Sequence, residues 1–475
     1  MNSLVSRTDK FILIAALAIF VLLHIYQINS PPNGYHQWRE SDTAAIILNY
    51  YQEDSNFLHQ RCNQRGSNSG ITAGELPTYA YSSFILYNLF GAQHFLPRLL
   101  TLAGGLIALW FFRKIVAILA NERAAIYSTM ALAFSPLFLF YSFKIMPDIW
   151  MLMFMLGAVY YFLKFAELNS LKHFALSAAF MILSATTKPL SLCLYLPFLV
   201  CLLKKSENKK KTFVNLAAYG AVTFSITLAW FLYGRYLNSI HHSEAFYMGE
   251  LLNRSPELTF QPMFLKKLFL QWPFEIWMGW ALVPVFIYGA VKLWQARQGG
   301  FFFWWIVASY IVFALVSAHA RSHDYYTLVI VPPLAAISGW GLSELISKPN
   351  FRKIMIGFIL IILPAVTTIR IYHRFALVPE FESIRTGADK HMSREALVIA
   401  QETTTAIRLY QLNRHGWPAR GELTMETIQT LIEKGADFLV LDSPIELNKN
   451  DLKTLVDDSV IQIGPLYGYR TVKPD

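Results

Sequence analysis

The feature that most constrains this chain is a series of long apolar runs. The first of them, FILIAALAIFVLLHIYQI at residues 11–28, is as long as the hydrocarbon core of a bilayer requires of a helix. Only 15% of the 475 residues are charged, whereas soluble proteins carry about 25%. The chain is therefore predicted to be a polytopic α-helical membrane protein rather than a set of soluble domains.

Apolar length predicts about eleven membrane-spanning helices. The predicted spans are 11–28, 94–112, 124–143, 149–165, 173–187, 189–203, 213–233, 273–293, 302–318, 325–346 and 354–371. Between 173 and 203, the pair Lys188-Pro189 either divides two helices or only kinks one.

The positive charges between the runs predict how the chain is oriented. Short basic linkers fall on one side of the membrane at 113–123, 164–172, 204–211, 292–297 and 348–353. Under the positive-inside rule this side is cytoplasmic. The first run exceeds the apolar core of a signal peptide and has no small-residue cleavage site after it, so we expect a retained helix with a cytoplasmic N-terminus. The net charge of +10 is explained in the same way, without a nucleic-acid partner.

Composition changes after residue 372, and this predicts two domains. We expect a transmembrane domain at 1–372, with outer loops at about 30–93 and 234–272, and a small periplasmic α/β domain at 373–475. The predicted helices of the second domain are 380–393, 403–413, 425–436 and 450–458, and its predicted strands are 396–400, 437–442, 460–464 and 469–472. No GxGxxG or Walker sequence indicates a nucleotide site.

Ionisable residues collect at the predicted outer ends of the helices. Charged groups at membrane depth are costly and therefore mark candidate functional sites. The candidates, with neighbouring aromatic residues, are His36, Trp38, Arg39, Glu40, Asp42, Glu75, Arg98, Asp148, Lys188, Arg321, His323, Tyr325 and Tyr326.

Several of these residues also have purely structural interpretations. Asp42 and Asp148 each stand where a helix N-cap is expected. Lys188 could extend its ammonium to the membrane interface. Tyr325 and Tyr326 suit an interfacial aromatic belt. These interpretations remain open for each residue, but they do not explain why acidic groups gather on one side.

Five motifs carry a resemblance to a known family. In order along the chain they are PPNGYHQWRESDTA, GELPTYAY, IMPDIW, TTKP and HDYYTLVIVPPLA, within residues 1–370. This arrangement resembles the C-type (GT-C) superfamily of membrane glycosyltransferases, in the branch of the protein O-mannosyltransferases and the lipid A aminoarabinose transferase. The resemblance implies transfer of a sugar from a polyprenyl-phosphate carrier, such as undecaprenyl phosphate, on the outer face of a bacterial inner membrane. The acceptor would be lipid A, another glycan or a protein.

The resemblance also implies roles for the acidic residues. An acidic residue of the first outer loop acts as the base in this family, and Asp42 matches its position best. Many relatives have an adjacent Asp-Glu pair there, whereas this chain has Glu40-Ser41-Asp42, so the base is either Glu40 or Asp42. Asp148 matches a second acidic position, which serves acceptor positioning or, in some members, a metal.

The leaving group suggests a role for the cations. A lipid phosphate gains negative charge as it departs, and fixed positive groups stabilise that charge. Lys188, Arg98 and Arg321 are the first candidates, and Arg39 and Arg254 are further ones.

A divalent metal is left open. His36, His241, His242, His319 and His323 lie on the predicted outer side with the acidic residues, but no HExxH or similarly tight spacing predicts a ligand set.

Three other functions remain as alternatives. A flippase or transporter for a lipid-linked glycan would explain buried charges, but would not require carboxylates on one face. A glycan polymerase or ligase with a diphosphate-linked donor would be expected to place its key residues in a large late loop. A scaffold that binds a partner through its outer domain would not need the acidic face.

Overall fold

The computed structural model divides the chain into two compact units. It describes residues 5–205, 209–243, 256–402, 407–420, 423–445 and 454–472. The first unit comprises Met1–Ile28, Arg98–Phe231 and Gly249–His373, and the second comprises Asn29–Pro97, Leu232–Met248 and Arg374–Asp475. The domain division predicted at residue 372 stays a prediction.

The first unit is helical wherever the structure describes it as regular. Its α-helices, including two that run across the unit boundary, are α1 (Arg7–Leu23), α4 (Phe95–Leu119), α5 (Glu122–Ala133), α6 (Pro136–Tyr141), α7 (Asp148–Leu168), α8 (Leu171–Thr187), α9 (Tyr195–Lys205), α10 (Lys209–Ile240), α11 (Pro262–Lys266), α12 (Val283–Gln295), α13 (Gly300–Leu315), α14 (Ser317–Ala320), α15 (Val331–Ile346), α16 (Pro349–Gly357) and α17 (Leu363–Tyr372). Short 3₁₀ helices occupy Pro189–Leu194, Pro256–Phe260 and Asp324–Ile330, and π-helical turns occupy Lys267–Gln271, Pro273–Trp277 and Phe358–Ile362.

Some of the helices are long and apolar enough to span a membrane. Within the described residues, five helical segments are long and apolar enough: Phe95–Leu119, Asp148–Leu168, Phe213–Ile240, Asp324–Ile346 and Pro349–Tyr372. Shorter apolar helices cover Leu171–Thr187, Pro189–Lys204 and Gly300–Leu315. These helices support the predicted class, a polytopic helical membrane protein. The number of eleven spans and the orientation stay predictions.

Two predicted spans are interrupted at prolines. The run at 124–143 breaks between α5 and α6, where Ser135 is extended before Pro136. The run at 173–203 is divided at Lys188, which is also extended (φ −150°, ψ 128°) before Pro189. A residue that precedes proline is disfavoured in the helical region by its clash with the proline ring. The pair Lys188-Pro189 therefore separates two helices.

Helices α12 and α15 approach each other closely at glycines. A β-carbon at Gly289 would lie 2.1 Å from the carbonyl oxygen of Ile337, and one at Gly341 would lie 2.3 Å from that of Val285. Small residues allow helix backbones to approach in this way within a membrane.

We expect Gly289→Ala to destabilise the protein by about 1–3 kcal/mol, because the added methyl group forces these backbones apart. Gly357→Ala is the matched control, since a β-carbon there meets no described atom within 4 Å. Thermal unfolding in detergent should show a lower midpoint for Gly289→Ala alone. Equal midpoints for the two variants would contradict the close approach.

The second unit combines helices with two sheets. Its helices are α2 (Gln37–Gln52), α3 (Thr78–Phe90), α18 (Phe381–His391), α19 (Ile407–Leu412) and α20 (Met425–Glu433). Its strands are β1 (Gln60–Arg61), β2 (Ile71–Thr72), β3 (Leu397–Glu402), β4 (His415–Arg420), β5 (Phe438–Leu441), β6 (Val456–Ile463) and β7 (Leu466–Thr471). Strands β1 and β2 form a small antiparallel hairpin.

The larger sheet confirms a small α/β arrangement near the C-terminus. Its strand order is β4-β3-β5-β7-β6, with β3 parallel to β4 and β5, and β7 antiparallel to β5 and β6. Successive residues of a strand face opposite sides of the sheet. Accordingly Val398 packs in a core with Ile384 of α18, and Ile399 packs in a second core with Ile428 of α20.

Two details of the sheet differ from the sequence prediction. Strand β4 was not predicted, because HGWPAR contains Gly416 and Pro418, which are uncommon in strands. The helix predicted at 450–458 is wrong from Val456 onward, where β6 begins. Pairing with β7 decides the conformation of this segment, whatever its local helical preference. Residues 446–453 lie outside the described residues.

The edge strand β4 is covered by a segment from the early part of the chain. The N–H of Gly66 donates to the carbonyl of Gly416 at 2.9 Å, and the N–H of Gly416 donates to that of Asn63 at 3.1 Å. Gln64 and Gly416 form a parallel bridge. This pairing satisfies backbone groups that an exposed edge would leave open, and it joins the 60–72 region to the C-terminal sheet.

Candidate functional site

Helix α2 carries Glu40 and Asp42, two of the four acidic candidates, and its entry is fixed by close backbone contacts. Gly34 has φ +62°, and a β-carbon there would lie 2.1 Å from the carbonyl oxygen of Arg374. That carbonyl accepts the N–H of Tyr35 at 2.8 Å. His36 is buried and occupies the N-cap position in a left-handed conformation (φ 59°), and its ring lies tilted against that of Tyr35 with the ring centres 4.1 Å apart. The interpretation of Asp42 as an N-cap is therefore wrong, because the helix begins at Gln37.

Asp42 is a nearly buried carboxyl group beside an arginine and a second acid. It is 9% exposed, and its Oδ2 lies 4.0 Å from Nη1 of Arg39. Nη2 of Arg39 donates to the carboxylate of Glu75. Burial raises the pKa of Asp42 to about 6; Arg39 opposes this shift, Glu75 adds to it, and Arg420 opposes it. Asp42 is therefore able to exchange a proton near neutrality, as a general base must.

Glu40 has different surroundings from Asp42. It is fully buried, and its Oε2 accepts the backbone N–H of Asn33 at 3.1 Å. This bond holds the chain that leads into α2. Trp38, on the same helix, is half-buried. Glu40 thus contacts the backbone ahead of the helix, while Asp42 lies beside Arg39.

A second group of candidates lies in the first unit, centred on an ion pair. Nζ of Lys188 donates to Oδ1 of Asp148 at 2.5 Å, and both residues are buried. Pro147, rather than Asp148, occupies the N-cap position of α7, so the capping interpretation of Asp148 is wrong. The ammonium of Lys188 also lies inside the protein, which contradicts an interfacial position.

Two tyrosine rings face the same ammonium. Nζ of Lys188 lies 4.2 Å from the ring centre of Tyr325 and 5.4 Å from that of Tyr326. His323 stacks on Tyr325 with ring centres 5.4 Å apart. Cation–π contacts of this kind stabilise a desolvated cation. The structure therefore brings Asp148, Lys188, His323, Tyr325 and Tyr326 together.

The other two predicted cations have contacts of their own. Arg98 is buried, donates from Nη1 to the carbonyl of Phe143 at 2.8 Å, and lies over the Phe143 ring. Arg321 is exposed, and its Nη1 lies 3.4 Å from Oε1 of Gln261. Arg254 lies outside the described residues.

Three charged residues of interest were not assigned a role from the sequence. Lys144 is fully buried, with Nζ 5.0 Å from the ring centre of Phe140, and it directly precedes the motif IMPDIW. Asp324 accepts a hydrogen bond from the hydroxyl of Tyr141, and the motif HDYY contains it. For Arg420, whose charge acts on Asp42, no signal exists in the sequence, because the two residues are far apart along the chain.

The ionisable side chains also bear on metal binding. Within the described ranges, no group of three or more His, Cys, Asp or Glu side chains is placed to hold a metal ion. His241 instead contacts the hydroxyl of Ser69 through Nδ1 at 3.1 Å.

Comparison with known proteins identifies the fold. The family model of dolichyl-phosphate-mannose-protein mannosyltransferase matches residues 75–232, about a third of the chain. No curated protein matches the sequence. The fold is that of the C-type (GT-C) membrane glycosyltransferases, and the resemblance expected from the motifs is confirmed at this level.

Three solved structures illustrate the likeness. ArnT from Cupriavidus metallidurans superposes with a TM-score of 0.67 and 14% identity, over 96% of this chain and 98% of that one. The oligosaccharyltransferase AglB from Archaeoglobus fulgidus gives 0.59 and 12%, over 91% and 69%. The arabinofuranosyltransferase AftD from Mycobacteria gives 0.50 and 16%, over 92% and 37%. Identities this low establish the fold alone.

Proposed function

We propose that this protein transfers a sugar from a polyprenyl-phosphate carrier to an acceptor hydroxyl, with Asp42 as the general base. The observation that carries the proposal is the nearly buried carboxyl of Asp42, held beside Arg39 and Glu75. ArnT has been crystallised with undecaprenyl phosphate, the structure of AglB is known in complex with an inhibitory peptide and a dolichol-phosphate, and both have this fold. These complexes support a lipid-linked donor.

In the proposed reaction the acceptor oxygen attacks the anomeric carbon of the donor sugar. The carboxylate of Asp42 takes the hydroxyl proton as the new C–O bond forms, and the bond from the anomeric carbon to the phosphate oxygen breaks. The electron pair of that bond leaves with the polyprenyl phosphate. A single displacement inverts the anomeric centre.

Lys188 supplies positive charge for the departing phosphate in this proposal. Its ammonium is already positioned by Asp148, Tyr325 and Tyr326, so it does not need to reorganise when charge develops. Arg98 and Arg321 stay secondary candidates for the same role. Asp148 then acts through Lys188 as a positioning residue.

The cellular setting is part of the same proposal. The family resemblance implies a bacterial inner membrane, and the basic linkers predict an N-terminus in the cytoplasm and a C-terminal region in the periplasm. The acceptor is lipid A, another glycan or a protein hydroxyl.

The function is tested by the products of the purified protein in lipid nanodiscs. Given polyprenyl-phosphate sugars labelled in the lipid, and a panel of the three acceptor classes, it should release free polyprenyl phosphate only when the acceptor is present. A flippase would move the labelled lipid without cleaving it, and a diphosphate-dependent ligase would cleave only diphosphate-linked donors. Either result would contradict the proposed reaction.

A further inference from the structure

The second unit contains a large cleft that the proposed chemistry does not yet use. Its volume is about 840 Å³, within the range of small-molecule sites. Three segments line it: the loop at 64–70, the residues at 241–243 that follow α10, and β4 with the region up to 434.

Positive charge dominates the ionisable lining of this cleft. Arg420 and Lys434 are exposed at its wall, and His241 and His242 belong to another of its lining segments. Arginine and lysine side chains gathered at one site create a positive potential that attracts an anion.

Not every cation of the lining is available to a ligand. Nη1 and Nη2 of Arg65 donate to the two carboxylate oxygens of Glu53 at 2.9 and 2.8 Å. This bidentate pair is complete without a ligand. The charge that a ligand would meet is therefore that of Arg420 and Lys434.

An aromatic ring stands beside these cations. Trp417 is half-buried, and its indole lies against the backbone of Gly66. A β-carbon at Gly66 would lie 2.6 Å from the indole, and the backbone there has φ +53°, which favours glycine. The loop therefore holds the indole in place. Indole rings offer an apolar face to the C–H groups of a sugar, and the amides of Gln64 and Asn68 line the same cleft.

We propose that this cleft binds a sugar carrying a negative charge, either phosphate or carboxylate. The inference goes beyond the proposed function and does not depend on it, because Asp42 is not among the residues that line the cleft. Trp417 packs against the sugar ring, and Arg420 and Lys434 bind the anionic substituent.

Calorimetric titration of the full-length protein in nanodiscs, without donor, tests the binding. The probes are maltose 1-phosphate, digalacturonic acid, neutral maltose and inorganic phosphate. We expect at least one charged sugar to bind ten times more tightly than both maltose and inorganic phosphate, and to weaken in high salt. The tighter of the two charged sugars identifies the anionic group.

Variants assign the binding to the cleft. Lys434→Gln should weaken binding about tenfold, the effect of one lost charge-assisted hydrogen bond. Gly66→Ala should weaken it by displacing Trp417. The matched control is Lys390→Gln, an exposed lysine of α18 that does not line the cleft and should leave binding unchanged. Thermal midpoints establish that each variant is folded.

The outcomes separate this inference from the proposed function. Equal binding of maltose and both charged sugars, or inorganic phosphate binding as tightly as the charged sugars, would overturn this inference even if polyprenyl phosphate is released. Tight binding that Lys434→Gln and Gly66→Ala do not affect would also overturn it. Tight, cleft-dependent binding without any release of polyprenyl phosphate would support the cleft and overturn the transferase reaction.

Discussion

Asp42→Asn should lower the release of polyprenyl phosphate by about 10²- to 10⁴-fold, the range expected when a general base is removed. The amide has the shape of the carboxyl group but cannot take the acceptor proton. Because burial disfavours the ionised carboxyl, the variant should unfold at the same temperature or a higher one at pH 7.5. Loss of activity without loss of stability would then reflect chemistry.

Two controls assign this loss to Asp42. Glu40→Gln keeps an oxygen that accepts the N–H of Asn33 and should retain most activity. Asp54→Asn changes a carboxylate of the same unit that pairs with His59 and Arg61, and it should behave like the wild type. If Glu40→Gln abolishes release while Asp42→Asn remains active, the base is Glu40.

The pH dependence of kcat/KM is a second test of Asp42 as the general base. The base form of Asp42 is lost as pH falls through about 6, so kcat/KM should decline below that value. An aspartate with an ordinary pKa would place this decline near pH 4. The residual activity of Asp42→Asn should lack the decline near pH 6, and a wild-type profile that is flat down to pH 5 would contradict the role of Asp42.

Lys188→Met should destabilise the protein by about 3–5 kcal/mol, because it leaves the buried carboxylate of Asp148 without its ammonium partner. Thermal unfolding in detergent measures the effect. Lys164→Met is the matched control: Lys164 pairs with Glu167 where both side chains are partly exposed, and its loss should cost less than about 1 kcal/mol.

The double variant Asp148→Asn/Lys188→Met separates stability from function. Removing both charges should recover most of the lost stability, since no buried charge remains unpaired. Release of polyprenyl phosphate should stay impaired, because the cation for the departing phosphate is missing. If the double variant recovers release together with stability, the ion pair has a structural role only.

The short motifs indicated which ionisable residues to consider, but the N-cap interpretation of Asp42 and Asp148 was wrong. Asp42 and Asp148 were both compatible with N-caps, because caps are judged from neighbouring sequence alone. The structure starts α2 at Gln37 and places Pro147 at the N-cap of α7, so both carboxyl groups are available for other partners. Lys188, the partner of Asp148, is 40 residues away from it in the chain. Arg39, which lies beside Asp42, pairs with Glu75, which is 36 residues away from Arg39.

In the C-terminal sheet, too, some elements were predicted from the local sequence and others were not. Strands β3, β5 and β7 were predicted as strands that alternate with helical segments, and the structure pairs them in the larger sheet. Strand β4, with its glycine and proline, and the start of β6 were not predicted. Their conformation comes from hydrogen bonds to other strands, which local preference does not encode.

The sequence by itself determined that this is a helical membrane protein with acidic and basic groups near its helix ends. Apolar length and the cost of burying charge are properties of a single segment, so they can be predicted from the order of residues. Only the tertiary structure decided which charges meet. It packed the segment at 29–97 and the residues after 374 into one compact unit, and so placed the charge of Arg420 within reach of Asp42. Burial and electrostatic interaction depend on distances in space, which the order of residues does not contain.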